Sequence, residues 1–383
     1  MKKSLKTLRP VGNPIKHRKN PVDYTQFGDF YVDFYQSGTA ALAAAIIAIK
    51  RSRSENSANP EVILPAYACP DLVSAILYAG AKPVLVDLEP NSCWMSLEDI
   101  ERHITELTIA IIAVRFLGIA ERMESLHGIC KKNELTLIED SAQGFPISNP
   151  DTYWQGDVII LSFGRGKPVN MLGGGALLTK NKSIKCQLLA STVHIDTLPE
   201  HLKYFIKVYI YNLLINPLLY GITLKLPGLN IGETIYKPLK YISSMPRYIA
   251  DRMADNVNYY KGLPNKLADI KNKLQTLDST LVIDLAVASH HDFSNPLLRY
   301  PLLIRNKTIR DSLHEALSPF GSSIMYKKPL YDIKGIPVHP SALKSNLSNA
   351  QTFADQLITL PTHKDVSNSL LEEIINQCMK IIK

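Results

Sequence analysis

Short apolar runs alternate with amphipathic stretches along most of this chain, and the alternation sets the elements it predicts. A β-like run within "YVDFYQ" leads into an Ala- and Ile-rich helix beginning near Thr39. From Glu61 the pattern repeats: a strand at Val62 to Leu64, a helix opened by Pro70 and closed at Gly80, and a strand from Pro83 to Asp87. Ser96-Leu97-Glu98-Asp99 has the form of a capping box and predicts a further helix. "TIAIIAVRFLG" reads as a buried strand, and "MESLHGICKKNELTLIED" as a helix followed by a strand that ends at Asp140. The β-formers Val158 to Leu161 end in Ser162-Phe163; Lys167 and a three-glycine turn, Gly173 to Gly175, then precede the apolar Ala176-Leu177-Leu178. Strand and helix in strict alternation predict an α/β fold, a mostly parallel sheet covered by helices. In such sheets ligands collect at the carboxyl ends of the strands, where Asp140 and Ser162 both fall.

The rhythm breaks between Asp196 and Leu226. This segment is rich in Leu, Ile and Tyr, is punctuated by Lys203, Lys207, Asn212 and Asn216, and is interrupted at Pro217. It is too polar and too short to span a bilayer. Two readings stand: a pair of buried or dimer-interface helices, or an interfacial helix lying on a membrane. The first predicts a dimer that makes only weak contact with an anionic membrane surface. Beyond Met253 a linking helix, a strand at Arg299 to Ile304, a helix from Thr308 to Leu317, a β-like run "SSIMYK" and a final helix from Ser369 to Ile382 predict a small α/β domain. The expected organisation is a basic N-terminal arm (1–30), a large domain (31–252) carrying a hydrophobic insertion at about 198–226, and a small C-terminal domain (253–383).

Composition adds limits. Of 383 residues, 46% are hydrophobic and 20% charged, as in an ordinary globular chain. The N-terminus is basic but lacks the apolar core of a secretory signal, so a cytoplasmic location is expected. Five scattered cysteines without C-x-x-C spacing suggest free thiols and no metal site. The net charge of +8 is concentrated in the first twenty residues, at Lys2, Lys3, Lys6, Arg9, Lys16, Arg18 and Lys19. Such an arm suits nucleic acid, an anionic membrane or a phosphorylated small molecule, or is a solvated tail.

Three places carry candidate chemistry. At the end of a buried strand, desolvation lowers the pKa of an amine such as that of Lys167 and makes it a nucleophile for an aldehyde; the same segment reads equally as a surface lysine in a flexible loop. Ser37-Gly38-Thr39-Ala40 opens a helix, where backbone N–H groups and the helix dipole favour an anion, or where Ser37 is a plain N-cap. A carboxylate at Asp140 can hold a protonated pyridine nitrogen, or cap the next helix.

The order Ser-Gly-Thr, Glu-Asp-Ser-Ala-Gln, then Ser-Phe with a lysine five residues past the serine, then a glycine cluster, resembles the DegT/DnrJ/EryC1/StrS family. These are fold-type-I, pyridoxal 5'-phosphate (PLP)-dependent aminotransferases that act mostly on nucleotide-linked keto-sugars. The likeness runs from about Val32 to Lys180 and returns in "RYPLLIRNKTIRDSLHEAL" and "LITLPTH". It implies that Lys167 carries PLP as a Schiff base and serves as general base, that Asp140 pairs with the pyridine nitrogen, and that Gln143 lies near the ring face or its phenolic oxygen. It further implies that Ser162, with Gly38 and the amides of Thr39 and Ala40, holds the phosphate. Asn230, in Gly228-Leu229-Asn230, would reach a partner's site, implying a homodimer with shared active sites. Glutamate or glutamine is the expected amino donor, a keto-sugar the acceptor, and surface polysaccharide or glycoconjugate biosynthesis the setting, with no nucleic-acid partner.

Departures from the family pattern bear on the sugar rather than on the cofactor. Leu172-Gly173-Gly174-Gly175 stands where the family usually has Gly-Glu-Gly-Gly. The ring-covering aromatic has no counterpart at Cys69, although Tyr67 is two residues away, and the hydrophobic segment before Gly228 looks longer than usual. Lys167 weighs against the family's sugar dehydratases, which lack that lysine. A PLP reaction on another small amino or keto compound, and a membrane-associated non-catalytic scaffold, are the remaining alternatives.

Overall fold

A computed structural model describes residues 7–53, 59–188, 196–223, 234–337 and 346–382. Asn230 lies outside them. Seven strands form the main sheet: β1 (Tyr31–Tyr35), β2 (Glu61–Pro65), β3 (Lys82–Val86), β4 (Thr108–Val114), β5 (Thr136–Asp140), β6 (Val158–Ser162) and β7 (Gly175–Thr179), in the spatial order β1-β7-β6-β5-β4-β2-β3. The pairings from β3 through β6 are parallel, whereas β7 runs antiparallel to both β6 and β1. Every residue of β2 and β4 is buried, as continuous apolar runs between two helical layers require. The fold is therefore the α/β class that the alternation predicts. Ser96 caps its helix as expected, accepting from Asp99 N at 3.3 Å, and the helix runs Leu97–His103.

Helix α1 (Gly38–Ser52) covers the sheet with alanines, burying Ala40, Ala41, Ala43, Ala45 and Ala48 beside Ile46 and Ile49. Small side chains let this helix approach closely. Its first turn is brought against the start of β7, where a Cβ on Gly175 would lie 2.3 Å from Gly38 N, so only glycine fits there. Helix α2 (Pro70–Tyr78) follows β2 and has proline at its first turn.

A second, antiparallel sheet joins β8 (Val282–Asp284), β9 (Arg299–Ile304) and β10 (Leu357–Pro361) in the order β10-β9-β8. The β-like run Ser322 to Lys327 is not one of its strands. Ser323 exchanges backbone hydrogen bonds with Thr359 (3.1 and 2.7 Å), but Met325 then takes φ 50°, and the left-handed turn ends the pairing. That turn delivers Tyr326 to the main sheet.

The described part of the N-terminal arm is not a solvated tail. Leu8 and Ile15 are buried, and Arg9 is 2% exposed. A buried guanidinium must be paired and hydrogen-bonded; Arg9 meets Asp365 at 2.7 Å and donates to Ile215 O and Gly12 O, each at 2.8 Å. Ile15 and Asn212 exchange hydrogen bonds of 2.8 and 3.0 Å, which ties the arm along the helix Leu198–Leu214. That helix opens with a capping box, Thr197 and Glu200, and a second helix, Pro217–Thr223, follows it. Tyr204 and Val208 are buried, but the opposite face is exposed, so the first helix is only half buried by its own chain. Among the described residues, no helix is long and apolar enough to cross a membrane.

Candidate functional site

The topology brings the chain to one edge of the sheet at several adjacent places. β5 ends at Asp140, β6 ends at Ser162, α1 begins at Gly38 beyond β1, and the turn after β2 passes through Cys69 into α2. Between them opens a cleft lined by Gly38, Thr39, Leu42, Cys69, Asp71, Leu72, Asp140, Ala142, Gln143, Ile160, Ser162 and Lys167. Of the residues that sequence singled out, Gly38, Thr39, Asp140, Gln143, Ser162 and Lys167 thus share one cavity.

The alternation of a strand divides the Glu-Asp pair. Asp140 faces the cleft, whereas Glu139 turns to the other face and binds Arg115 (Nε 2.9 Å, Nη2 2.7 Å) as well as the amides of Gln155 and Gly156. Burial pushes the Asp140 carboxyl above its ordinary range, while the nearby Lys167 ammonium and the Ala142 amide, at 3.0 Å, pull it down. Gln143 is held at both ends. Its oxygen accepts from Leu117 N at 2.8 Å, and its amide donates to Tyr326 Oη at 3.2 Å. Ser141 completes the motif from below, donating to Gly144 O and accepting from the Trp154 indole at 3.0 Å.

Lys167 is half-buried in a turn, its amide donating to Gly164 O at 3.2 Å. The loop that carries it is fastened to the N-terminal arm by Asn13 and Asn170, which donate to Pro168 O and Asn13 O at 3.3 and 3.0 Å. At the helix start, Ala40 N–H donates to Ser37 Oγ at 3.1 Å. The helix's own cap therefore holds that donor, and Ala40 does not line the cleft. Thr39 Oγ1 donates to Asp71 at 3.3 Å, which leaves an acceptor carboxylate at the mouth. Tyr67 is in an aromatic cluster with Phe116, Tyr326 and Phe353, its hydroxyl donating to Tyr326 O at 2.9 Å. Cys69, not Tyr67, is on the cleft wall.

The comparisons with known proteins point the same way as the cleft. The profile of the DegT/DnrJ/EryC1/StrS aminotransferase family matches residues 27–215. The chain belongs to the DegT/DnrJ/EryC1/StrS aminotransferase family. It is 25% identical to the dTDP-4-amino-4,6-dideoxy-D-glucose transaminase of Shigella dysenteriae over 380 residues, 97% of this chain and 91% of that protein. It is 33% identical to the GDP-perosamine synthase of Escherichia coli O157:H7 over 156 residues, 40% of this chain and 42% of that one. The crystal structure of NtdA from Bacillus subtilis with bound cofactor PMP superposes with a TM-score of 0.69 at 18% identity, covering 94% of this chain and 75% of that one, a likeness of fold. As a member of this family, the protein is a PLP-dependent aminotransferase.

The sequence of this aminotransferase gave no signal for Tyr326, which sits in a run read as strand. It comes from the C-terminal third and reaches the cleft, bonding Gln143 and lying close enough to Cys69 to share a hydrogen bond. Burial pushes its hydroxyl well above the ordinary range, so it stays protonated. Replacing Tyr326 with Phe is expected to free one end of Gln143, shifting the absorption maximum of the bound cofactor and lowering turnover by roughly tenfold, the scale of a lost buried hydrogen bond. An unchanged spectrum would count against this placement of Gln143.

Gly38 gives a second check. A Cβ there would lie 2.8 Å from Ser162 Cβ and 3.2 Å from Leu161 O. Gly38→Ala is expected to lower stability by about 1–3 kcal/mol, the usual cost of forcing extra volume into a packed site. Thermal unfolding of the cofactor-free protein and cofactor titration would show lower melting and weaker binding together.

Proposed function

We propose that this aminotransferase moves an amino group from glutamate or glutamine to a keto-sugar linked to a nucleotide, in the assembly of surface polysaccharides or glycoconjugates. The observation that carries the reading is the convergence of Lys167, Asp140, Gln143 and Ser162 with the start of α1 on one cleft. The names of the two sequence relatives support the substrate class: one is a dTDP-sugar transaminase and the other a GDP-perosamine synthase.

The cleft fits PLP. The absence of a Cβ at Gly38 leaves a cradle between the helix start and Ser162, and the Gly38 and Thr39 positions with the Ser162 hydroxyl would hold the phosphate through the helix dipole. Asp140 would hold the pyridine nitrogen, and Gln143 would stand on the side of the phenolic oxygen. When bound, PLP supplies an electron sink for the carbon that loses or gains the amino group. Lys167 would bind the cofactor covalently through Nζ and, once released, take the proton from the α-carbon of the amino donor. The same Nζ would return a proton to the sugar carbon in the second half-reaction. Asp140, with the ring nitrogen's charge beside it, would be held ionised against the effect of burial. A second copy of the chain would complete the site through Asn230.

The test is mass spectrometry of products from a panel of nucleotide-linked keto-sugars with glutamate or glutamine as donor. Replacement of a sugar carbonyl by an amine on at least one nucleotide-linked member is the expected result. Amination of free keto acids alone, with every nucleotide-linked sugar untouched, would move the protein to another substrate class.

A further inference from the structure

We propose that the exposed face of the helix Leu198–Leu214 is a docking surface for an anionic lipid membrane. Leu198, Leu202, Ile206, Tyr209, Ile210 and Leu213 recur three or four residues apart on the face opposite Tyr204 and Val208, so they form one stripe. All six are exposed, Leu198 by 80% and Tyr209 by 68%. A single exposed leucine needs no explanation, but a continuous apolar stripe of four turns on a folded chain marks a surface that something covers.

The charges around the stripe identify what covers it. Lys203 and Lys207 border one long edge, both exposed and neither in an ion pair among the described residues. Phe205 borders the other edge and stacks on His17, with ring centroids 6.3 Å apart and an interplanar angle of 13°. Arg18 and Lys19, both exposed, follow His17 directly in the chain. The one acidic residue of the helix, Glu200, closes the capping box with Thr197. An apolar stripe, a tyrosine within it and cations along both edges match a bilayer interface: aliphatic side chains enter the acyl boundary while lysine stems extend their ammonium groups to anionic head groups. A second copy of the chain fits less well. Whether a two-fold axis set the helices parallel or antiparallel, a cationic edge would meet a cationic edge.

Co-sedimentation of the full chain loaded with cofactor, using vesicles of phosphatidylcholine with and without phosphatidylglycerol, tests the proposal. Binding is expected to the mixed vesicles only, to weaken with salt, and to vanish in Ile206→Glu. The double variant Lys203→Glu, Lys207→Glu keeps the apolar stripe and should bind roughly tenfold more weakly or worse, since each cation near an anionic surface contributes separately. Circular dichroism and the absorbance of bound cofactor should match wild type in every variant that is scored. Equal binding to neutral vesicles, no binding at all, or retained binding by Ile206→Glu would each overturn the proposal. So would a halved mass of Ile206→Glu in light scattering, which would assign the stripe to a second copy.

Discussion

Lys167→Ala is expected to abolish transamination, lowering turnover by roughly 10⁴-fold, because in the proposed mechanism one amine would serve both covalent attachment and proton transfer. Borohydride reduction of the wild-type holoenzyme followed by peptide mapping should place the cofactor on Lys167. The neighbouring lysines are engaged or remote: Lys180 pairs with Asp151 at 2.6 Å and lies over the Phe30 ring at 4.5 Å, and Lys182 is exposed beyond β7. A label on either would sink the assignment. The fold should survive the substitution, since Lys167 is half-buried and its loop is held by backbone bonds and by Asn13 and Asn170. Lys167→Arg keeps the charge beside Asp140 and should remain as folded as wild type, yet as inactive as Lys167→Ala. Recovery of activity in the arginine variant would show that charge alone, not a nucleophilic amine, is what the site requires.

The sheet was legible because its strands are short apolar runs whose ends carry turn and capping residues. Period and length therefore agree, and the carboxyl-end rule then places Asp140 and Ser162 at the cleft without further information. The site's remaining parts depend on distant segments of chain. Tyr326 reaches Gln143 across a separation of 183 residues, and the turn that delivers it is fixed by the left-handed conformation of Met325, for which no glycine gives warning. Arg9 looked like part of a basic tail, because no local pattern shows that Asp365 and Ile215 O lie where its guanidinium can be buried. Tyr67 was the nearest aromatic to Cys69 in sequence, but consecutive odd positions leaving a strand need not stay on one face once the chain turns. The aromatic cluster with Phe116 and Phe353 took its ring. Ala40 shows the same limit on a smaller scale: an N-cap serine competes with any anion for the amide three residues on, and here Ser37 holds it.

Asp140→Asn and Glu139→Gln should separate the two adjacent carboxylates by what each one loses. Burial raises the Asp140 carboxyl, so the cofactor-free fold favours its neutral form. The stability this contributes is present below the ordinary carboxyl range and is lost as pH rises through the raised value, so a neutral asparagine is expected to leave the melting temperature of the empty protein unchanged or slightly raised. Turnover should nevertheless fall by roughly 10²–10⁴-fold, because an amide cannot keep a pyridine nitrogen protonated, while the cofactor is still bound. Glu139 is the reverse case. Its carboxylate meets Arg115 at 2.7 Å and two backbone amides, away from the cleft, and its loss strands a buried guanidinium at a cost of about 3–5 kcal/mol. Glu139→Gln should therefore melt earlier by a wide margin, with the folded fraction turning over near the wild-type rate. Near-normal turnover in Asp140→Asn would reject Asp140 as the pyridine partner. A melting loss in Asp140→Asn equal to that of Glu139→Gln would show that both carboxylates are structural, and that the cleft obtains its negative charge elsewhere, with Asp71 at the mouth the next group to replace.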